Sequence, residues 1–251
     1  MKYGLQLYTM RDELSKKENL NGLFCYLNSI GIENVELACM PKMTDLEIRE
    51  SAEKSGIKVI SSHSDFGKIK NHIDSLIREH FVYGANIIGI GGMPAKYRKN
   101  LKSLKKFTDI FNRSADEAAK YGMKLCYHNH AFEFEKIEGK VIFDFLLEKL
   151  NENVCFCVDC YWADYAGQDV TEIIEKTGHR TAILHFKDSS GAENGKKILP
   201  LGSGVLKFKD YIAAGEKFGT EYALIELDES KNPRLDVKKS IDFLKTLEQE
   251  R

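Results

Sequence analysis

The sequence lacks three features that would point to other classes of protein. It has no excess of positive charge, since 37 Lys and Arg residues face 38 Asp and Glu residues and leave a net charge of -1. A main role in nucleic-acid binding is therefore disfavoured, because neutralising phosphates requires clustered Lys and Arg. No apolar run approaches the roughly 20 residues that span a bilayer, and the first residues, MKYGLQLYTMRDEL, are too polar for a signal peptide. We therefore expect a cytoplasmic protein that binds neither nucleic acid nor membranes.

The cysteine and glycine patterns argue against two further kinds of site. Cys157 and Cys160 form a C-x-x-C pair, but no second pair is present to complete a structural zinc site. We interpret the cysteines within apolar runs as reduced, buried thiols. No G-x-G-x-x-G motif follows the first apolar run, which removes support for a dinucleotide-binding sheet. No Pro- or Gly-rich linker interrupts the chain, so we predict a single domain over residues 1–251.

Short apolar runs alternate with longer amphipathic segments along the whole chain. The apolar runs predict eight strands, at residues 3–9, 34–38, 58–63, 86–92, 124–130, 154–159, 182–188 and 222–228. The amphipathic segments predict eight helices, at residues 19–30, 43–55, 68–83, 98–121, 140–150, 168–177, 207–218 and 235–249. Glycines such as Gly122 and Gly219 end several helices shortly before the next strand. Eight βα units in this length predict a (β/α)8 TIM barrel rather than a doubly wound sheet.

Polar side chains stand at the carboxyl ends of the predicted strands, where TIM-barrel enzymes place their active sites. Four successive strands end in such residues: His128 and His130, then Asp159, His185 and Glu226. Neighbouring strands bring these ends together, and their side chains are ligands of divalent ions such as Mn, Co, Zn or Fe. A hydrogen-bonded polar cluster without metal is the alternative. Asp159 is not expected to cap a helix, because the next predicted helix begins near residue 168.

Other polar or aromatic residues at the same end are candidates for substrate contacts. Lys187 lies two residues after His185 and therefore points to the same side of its strand. Its charge would orient a sugar oxygen or a phosphate, or stabilise an enolate. Trp162 is a candidate for an apolar wall, although core packing is nearly as good an interpretation. The remaining candidates for substrate contacts are Gln6, Glu36, His63 and Glu133.

Five motifs together resemble the sugar phosphate isomerase/epimerase superfamily with its xylose isomerase-like barrel: YHNHAFEF (127–134), VDCYWADYAG (158–167), LHFKD (184–188), LGSGVLKFKD (201–210) and ALIELD (223–228). The YHNH form resembles the inosose dehydratase and keto-glycoside-processing branches. The resemblance implies one divalent ion, preferably manganese, with cobalt, zinc, iron or magnesium as alternatives. Asp159, His185 and Glu226 match its ligands. Many members have Glu where this chain has His128, so His128, His130 or an open position completes the site.

The resemblance also implies a reaction, in which a proton is removed next to the carbonyl of a keto-sugar and the metal stabilises the enediolate. Return of the proton gives an isomerase or epimerase, our first expectation. Loss of a β-oxygen gives a dehydratase or lyase acting on a keto-sugar, an inosose or a 3-keto-glycoside. We assign the chemistry to His128, His130, Glu226 and Lys187, since histidine exchanges protons near neutral pH.

The resemblance implies a sugar or cyclitol substrate and allows a homodimer. Two other classes of function stay as alternatives, a non-catalytic sugar-binding protein and an endonuclease IV-like nuclease. The nuclease is disfavoured because Trp162 stands where that enzyme type would need another histidine to hold several ions.

Overall fold

The computed structural model describes residues 1–249, and across these residues eight parallel strands close into a barrel. The strands are β1 (Lys2–Gln6), β2 (Asn34–Leu37), β3 (Lys58–Ser64), β4 (Ile87–Ile90), β5 (Lys124–His128), β6 (Val154–Asp159), β7 (Thr181–Phe186) and β8 (Tyr222–Ile225). Each strand pairs with its neighbours in sequence, and β8 pairs with β1 to close the barrel. The predicted (β/α)8 barrel is therefore confirmed, whereas the single domain over 1–251 stays a prediction.

Ten α-helices lie within residues 1–249 and surround the barrel. They are α1 (Asn19–Ser29), α2 (Asp45–Lys54), α3 (Phe66–Asn71), α4 (Ile73–Tyr83), α5 (Leu101–Ala119), α6 (Ile142–Lys149), α7 (Cys160–Tyr165), α8 (Val170–Thr177), α9 (Phe208–Lys217) and α10 (Pro233–Gln249). None of the helices in this described part of the chain combines the length and apolar character needed to cross a bilayer.

Two predicted helices differ from the structure for local backbone reasons. The segment 68–83 forms two helices, because His72 leaves the helical region with φ -142° and ψ 39°. The helix predicted from residue 140 begins at Ile142, since Lys136–Ile137 first pairs with Lys140–Val141 in a hairpin. Its turn consists of Glu138 and Gly139, both with positive φ, which suits a tight two-residue connection.

The side chains that fill the barrel interior below its carboxyl end are apolar or thiol groups. Residues of this layer are at most 7% exposed: Ile60, Ile87, Cys126, Cys155, Cys157, Ile183, Tyr222 and Leu224. All six cysteines are free, with four of them buried and Cys25 and Cys39 exposed. This agrees with the predicted reduced thiols. The polar side chains lie at the other end of the barrel, where the strands have their carboxyl ends.

An aromatic cluster behind β5 fixes the start of the YHNH motif. Phe107 and Phe111, on the buried face of α5, pack edge-on against Tyr127, with ring centroids 5.8 Å and 6.2 Å away. Tyr127 is fully buried in β5. The core therefore determines where the following histidines enter the site.

Candidate metal centre

Four residues predicted as metal ligands meet at the carboxyl end of the barrel. His128 and Asp159 are the last residues of β5 and β6, His185 lies near the end of β7, and Glu226 directly follows β8. One ligand atom from each lies within 4.8 Å of the others, and all four side chains are buried. The structure thus brings together two imidazoles and two carboxylates, a donor set suited to a divalent ion.

Both ring nitrogens of His185 contact carboxylates. Nδ1 lies 2.9 Å from Glu226 Oε2, and Nε2 lies 2.8 Å from Glu36 Oε2. Burial opposes protonation of His185, but Cys157, Glu36 and Glu226 outweigh it and raise its pKa well above the usual value. Metal-binding histidines commonly donate their second N–H to a carboxylate. Glu36 is therefore placed to hold Nε2–H while Nδ1 faces the same point as Glu226.

Glu36 is buried behind the site instead of facing a cavity. It accepts hydrogen bonds from Gln6 Nε2 and from Ser61 Oγ, and His63 Nε2 lies 3.2 Å from its Oε2. Burial favours its neutral form, but His63 and His185 outweigh this and lower its pKa to about 2. Gln6 and Glu36 are 0% and 1% exposed. This placement differs from the substrate contacts that we predicted for them, because neither side chain reaches open space.

The two carboxylate oxygens of Asp159 make different contacts. Oδ1 accepts a hydrogen bond from Trp162 N at 2.9 Å and caps α7, whereas Oδ2 lies 3.1 Å from His128 Nε2. Our expectation that Asp159 caps no helix is wrong, because the short helix α7 begins at the next residue. Burial raises the pKa of Asp159, but Lys187 and His128 outweigh it and bring the pKa to about 2. The cap fixes the carboxylate and leaves Oδ2 facing His128 and the other donors.

Asn129 is a positioning residue that the sequence reasoning missed. Its Oδ1 accepts a hydrogen bond from Asp159 N at 2.9 Å, and its Nδ2 donates to Asp159 O at 3.4 Å. The side chain thereby pairs with the main chain of the neighbouring strand end. The only signal in the sequence was its place between two histidines in YHNH.

Lys187 brings a positive charge to the carboxylates. Its Nζ lies 3.0 Å from Asp159 Oδ2, 2.9 Å from Glu226 Oε2 and 2.8 Å from Asp228 Oδ2. Burial opposes its charge, but the three carboxylates outweigh it and raise its pKa well above the usual value. Asp228 was also missed, although it lies two residues after Glu226. Because it shares Lys187 with the site, it belongs to the same electrostatic unit.

A cavity of about 280 Å³ opens above the donor group. It is lined by Tyr8, Ala38, Cys39, His63, Gly91, His128, His130, Glu226 and Asp228. Trp162 lines an adjacent cleft of about 860 Å³, together with Tyr161 and Asp228. His63 thus lines the first cavity and Trp162 the second, and their contacts with a substrate stay a prediction.

The predicted strand 124–130 would include His130. In the structure β5 ends at His128, so His130 lies beyond the strand. Its half-buried ring is 4.8 Å from that of His128 and 5.7 Å from that of Trp162. Its Nδ1 is buried without a hydrogen-bond partner among the described residues. Burial, reinforced by His128, lowers its pKa to about 3, so the imidazole is neutral near pH 7.

Glu133 holds His130 in place from inside the protein. It is fully buried, accepts a hydrogen bond from Tyr127 OH at 2.6 Å, and accepts another from His130 N at 2.7 Å. Burial raises its pKa to about 8. Glu133 lines no cavity of the site, which differs from the substrate contact that we predicted.

The model of the xylose isomerase-like TIM barrel family matches residues 26–247. The chain belongs to this family. A sugar phosphate isomerase/epimerase from Parabacteroides distasonis ATCC 8503 superposes with a TM-score of 0.81 at 22% identity, over 97% of this chain and 93% of that one. The two chains share their fold.

Two further proteins of known structure share this barrel over 98% of this chain and 99% of theirs. The probable 3-DHS dehydratase AsbF from Bacillus anthracis has a TM-score of 0.76, and the D-psicose 3-epimerase from Clostridium cellulolyticum H10 has a TM-score of 0.75, each at 15% identity. The same fold is thus found in proteins named for dehydration and for epimerisation.

The curated proteins that this chain resembles in sequence are inosose dehydratases. The protein from Histophilus somni (strain 129Pt) is 26% identical over 166 residues, which cover 54% of this chain and 55% of that protein. The protein from Clostridium perfringens (strain 13 / Type A) is 29% identical over 94 residues, covering 37% of this chain and 31% of that protein. The match therefore spans about half the length of the first relative and less of the second.

Within this family barrel, the donor set of the chain fits a divalent ion. The ligand atoms of neighbouring donors lie about 3 Å apart: 2.9 Å between His185 and Glu226, and 3.1 Å between His128 and Asp159. Carboxylates also outnumber the cations around them, since the single ammonium group of Lys187 contacts three carboxylates. These observations identify a group that could hold a metal ion, without specifying which one.

Proposed function

We propose that the protein is a divalent-metal-dependent enzyme that removes a proton next to the carbonyl of a keto-sugar or cyclitol and returns it, as an isomerase or epimerase does. The observation that carries the proposal is the convergence of His128, Asp159, His185 and Glu226 on one point below a cavity. Family membership supports it. A cytoplasmic location and a homodimer stay predictions.

The metal ligands would be the same four residues, with manganese as the preferred ion. When bound there, a divalent ion supplies Lewis acidity to a carbonyl oxygen and its neighbouring hydroxyl. Glu36 keeps Nε2–H of His185 occupied and so directs Nδ1 to the ion. Asn129 and the α7 cap hold Asp159. These contacts fix the ligands before any substrate enters, so that little reorganisation is needed.

Lys187 and His130 are the residues assigned to charge and proton transfer. Lys187 Nζ lies among the carboxylates at the base of the cavity, where its charge would stabilise negative charge that develops on a substrate oxygen. His130 lines the same cavity but is not needed for the donor group. We assign to this neutral ring, because of its position in the cavity, the removal of the proton from the carbon next to the carbonyl and its return.

Dehydration is the second candidate, because a proton donor stands beside the carboxylates. Lys187 Nζ–H would protonate a departing β-hydroxyl while His130 takes the proton from the adjacent carbon. The inosose dehydratases of Histophilus and Clostridium support this candidate. The two reactions share the first step and differ in the product.

Solvent exchange tests the shared step. Metal-loaded protein would be incubated in D2O with a panel of keto-sugars and inososes, and deuterium incorporation followed by NMR. We expect exchange that requires the ion, is lost in His130→Gln with the metal still bound, and persists in the exposed control His72→Gln. Mass analysis separates an isomer from a product that has lost water. Metal-loaded protein that exchanges no substrate of the panel contradicts the proposal.

A further inference from the structure

A buried thiol lies directly beneath the candidate metal centre and has no role in the proposed reaction. Cys157 precedes Asp159 by two residues on β6, so both side chains point into the barrel. Cys157 is 2% exposed and stands in register with His128 on β5 and Ile183 on β7. The thiol therefore lies one layer deeper than the Asp159 carboxylate.

Cys157 belongs to a second group of potential ligand atoms. Its Sγ and one ring nitrogen each of His128 and His185 all lie within 4.8 Å of one another. The outer group, formed by these two histidines with Asp159 and Glu226, meets the same criterion. A third set, formed by Glu36, His63 and His185, meets the same criterion; while Glu36 occupies Nε2 of His185, the inner and the outer group both depend on Nδ1 of that ring. One ion can therefore use either the inner or the outer group, but not two ions at once.

The two groups differ in chemical softness. Thiolate and imidazole favour Zn²⁺, whereas carboxylate oxygens suit Mn²⁺ and Mg²⁺. The inner position is also dry, since Ile60, Ile183 and Leu224 pack around the barrel interior there. Burial raises the pKa of the Cys157 thiol to about 12, although His185 pulls it down. Without a metal the thiol is therefore protonated and inert.

We infer that Cys157, His128 and His185 form an inner site for a thiophilic divalent ion such as Zn²⁺, which excludes the catalytic ion from the outer site. On binding, the Sγ–metal bond forms and the thiol proton leaves to solvent, with no change of oxidation state. The inference rests on the proposed function for the role of the outer site. Cys160 belongs to neither group of ligand atoms. Its Sγ lies 4.0 Å from the carbonyl oxygen of Val158.

Cobalt provides a readout that does not depend on activity. Co²⁺ bound to a thiolate has a charge-transfer band in the near ultraviolet that imidazole and carboxylate ligands do not give. Metal-free protein titrated with Co²⁺ should show this band, saturating at one ion per chain. Cys157→Ser should lose the band, and Cys155→Ser should keep it, since Cys155 faces the same interior two residues earlier but belongs to neither group.

Competition between ions tests the exclusion. Zn²⁺ should displace Mn²⁺ from the wild-type protein, and Cys157→Ser should weaken this competition while leaving Mn²⁺ binding in place; competition of equal strength in the two proteins contradicts the exclusion. Co²⁺ that binds the wild-type protein without a thiolate band overturns the inner site and leaves the proposed function standing, and this result requires no variant to fold. Failure of Co²⁺, Zn²⁺ and Mn²⁺ alike to bind overturns both.

Discussion

The buried carboxyl of Glu133 makes the stability of the protein depend on pH in a direction opposite to that of most carboxylates. Burial raises its pKa to about 8, against 4.5 ordinarily, even though Tyr127 OH and His130 N both donate hydrogen bonds to it. At neutral pH the folded protein therefore holds this carboxyl protonated, whereas the unfolded chain exposes it as a carboxylate. Folding takes up one proton at this position.

The sign and the size of the effect follow from this difference. Because the folded-state pKa lies above the unfolded value, the stabilisation is complete below about pH 4.5 and is lost as the pH rises through about 8. Each pKa unit corresponds to about 1.36 kcal/mol, so the full loss is at most roughly 5 kcal/mol. Above about pH 8 the loss levels off, since the buried group is then ionised in both states.

Glu133→Gln tests this reasoning, because the amide imitates the protonated acid. The amide oxygen still accepts from His130 N, and the amide nitrogen offers a donor towards Tyr127. We expect the variant to match the wild type near pH 5 and to be more stable by several kcal/mol near pH 9, measured by urea unfolding across that range. Glu135→Gln, an exposed neighbour, should follow the wild type. Parallel pH profiles for the wild type and Glu133→Gln would refute the buried, protonated carboxyl.

Three other variants test the shell around the site and the far end of the barrel. Asn129→Ala leaves the buried Asp159 N–H unpaired, so we expect urea unfolding to show a loss of about 1–3 kcal/mol, and an unchanged value would contradict the pairing. Glu36→Gln deprives His185 of its carboxylate partner, so Mn²⁺ affinity measured by calorimetry should fall about 10–100-fold; equal affinity would remove Glu36 from the centre. Arg180→Ala removes a guanidinium that donates to four main-chain carbonyls at the amino end of the barrel. It should cost roughly 2–3 kcal/mol and leave Mn²⁺ affinity unchanged, and a loss of affinity would show that the two ends are coupled.

The barrel and the four inward residues were predictable because both depend on local patterns. Apolar runs of strand length alternate with amphipathic segments, and parallel strands place their carboxyl ends at one edge. Asp159, His185 and Glu226 each end or follow such a run, so their convergence follows from topology alone. His128 follows from the same argument, and the structure places it at the last position of β5.

The rest of the site depends on contacts that no local pattern records. Glu36 and His185 are separated by 149 residues, yet they meet across the barrel. The helix α7 has six residues, too few to show a helical period, which is why the cap formed by Asp159 was missed. The structural role of Glu133 could not be predicted from the sequence either, because its burial depends on how the turn after His130 packs against Tyr127.

Direct measurement of manganese binding tests the central claim, that His128, Asp159, His185 and Glu226 hold a divalent ion. Metal-free protein would be titrated with Mn²⁺ by calorimetry, with Asp159→Asn and Glu226→Gln as the ligand variants and the exposed Glu229→Gln as the matched control. We predict saturable binding of one ion per chain in the wild type and in Glu229→Gln, and strongly weakened binding in both ligand variants. Absence of saturable binding, or affinities that the ligand variants leave unchanged, would contradict the account.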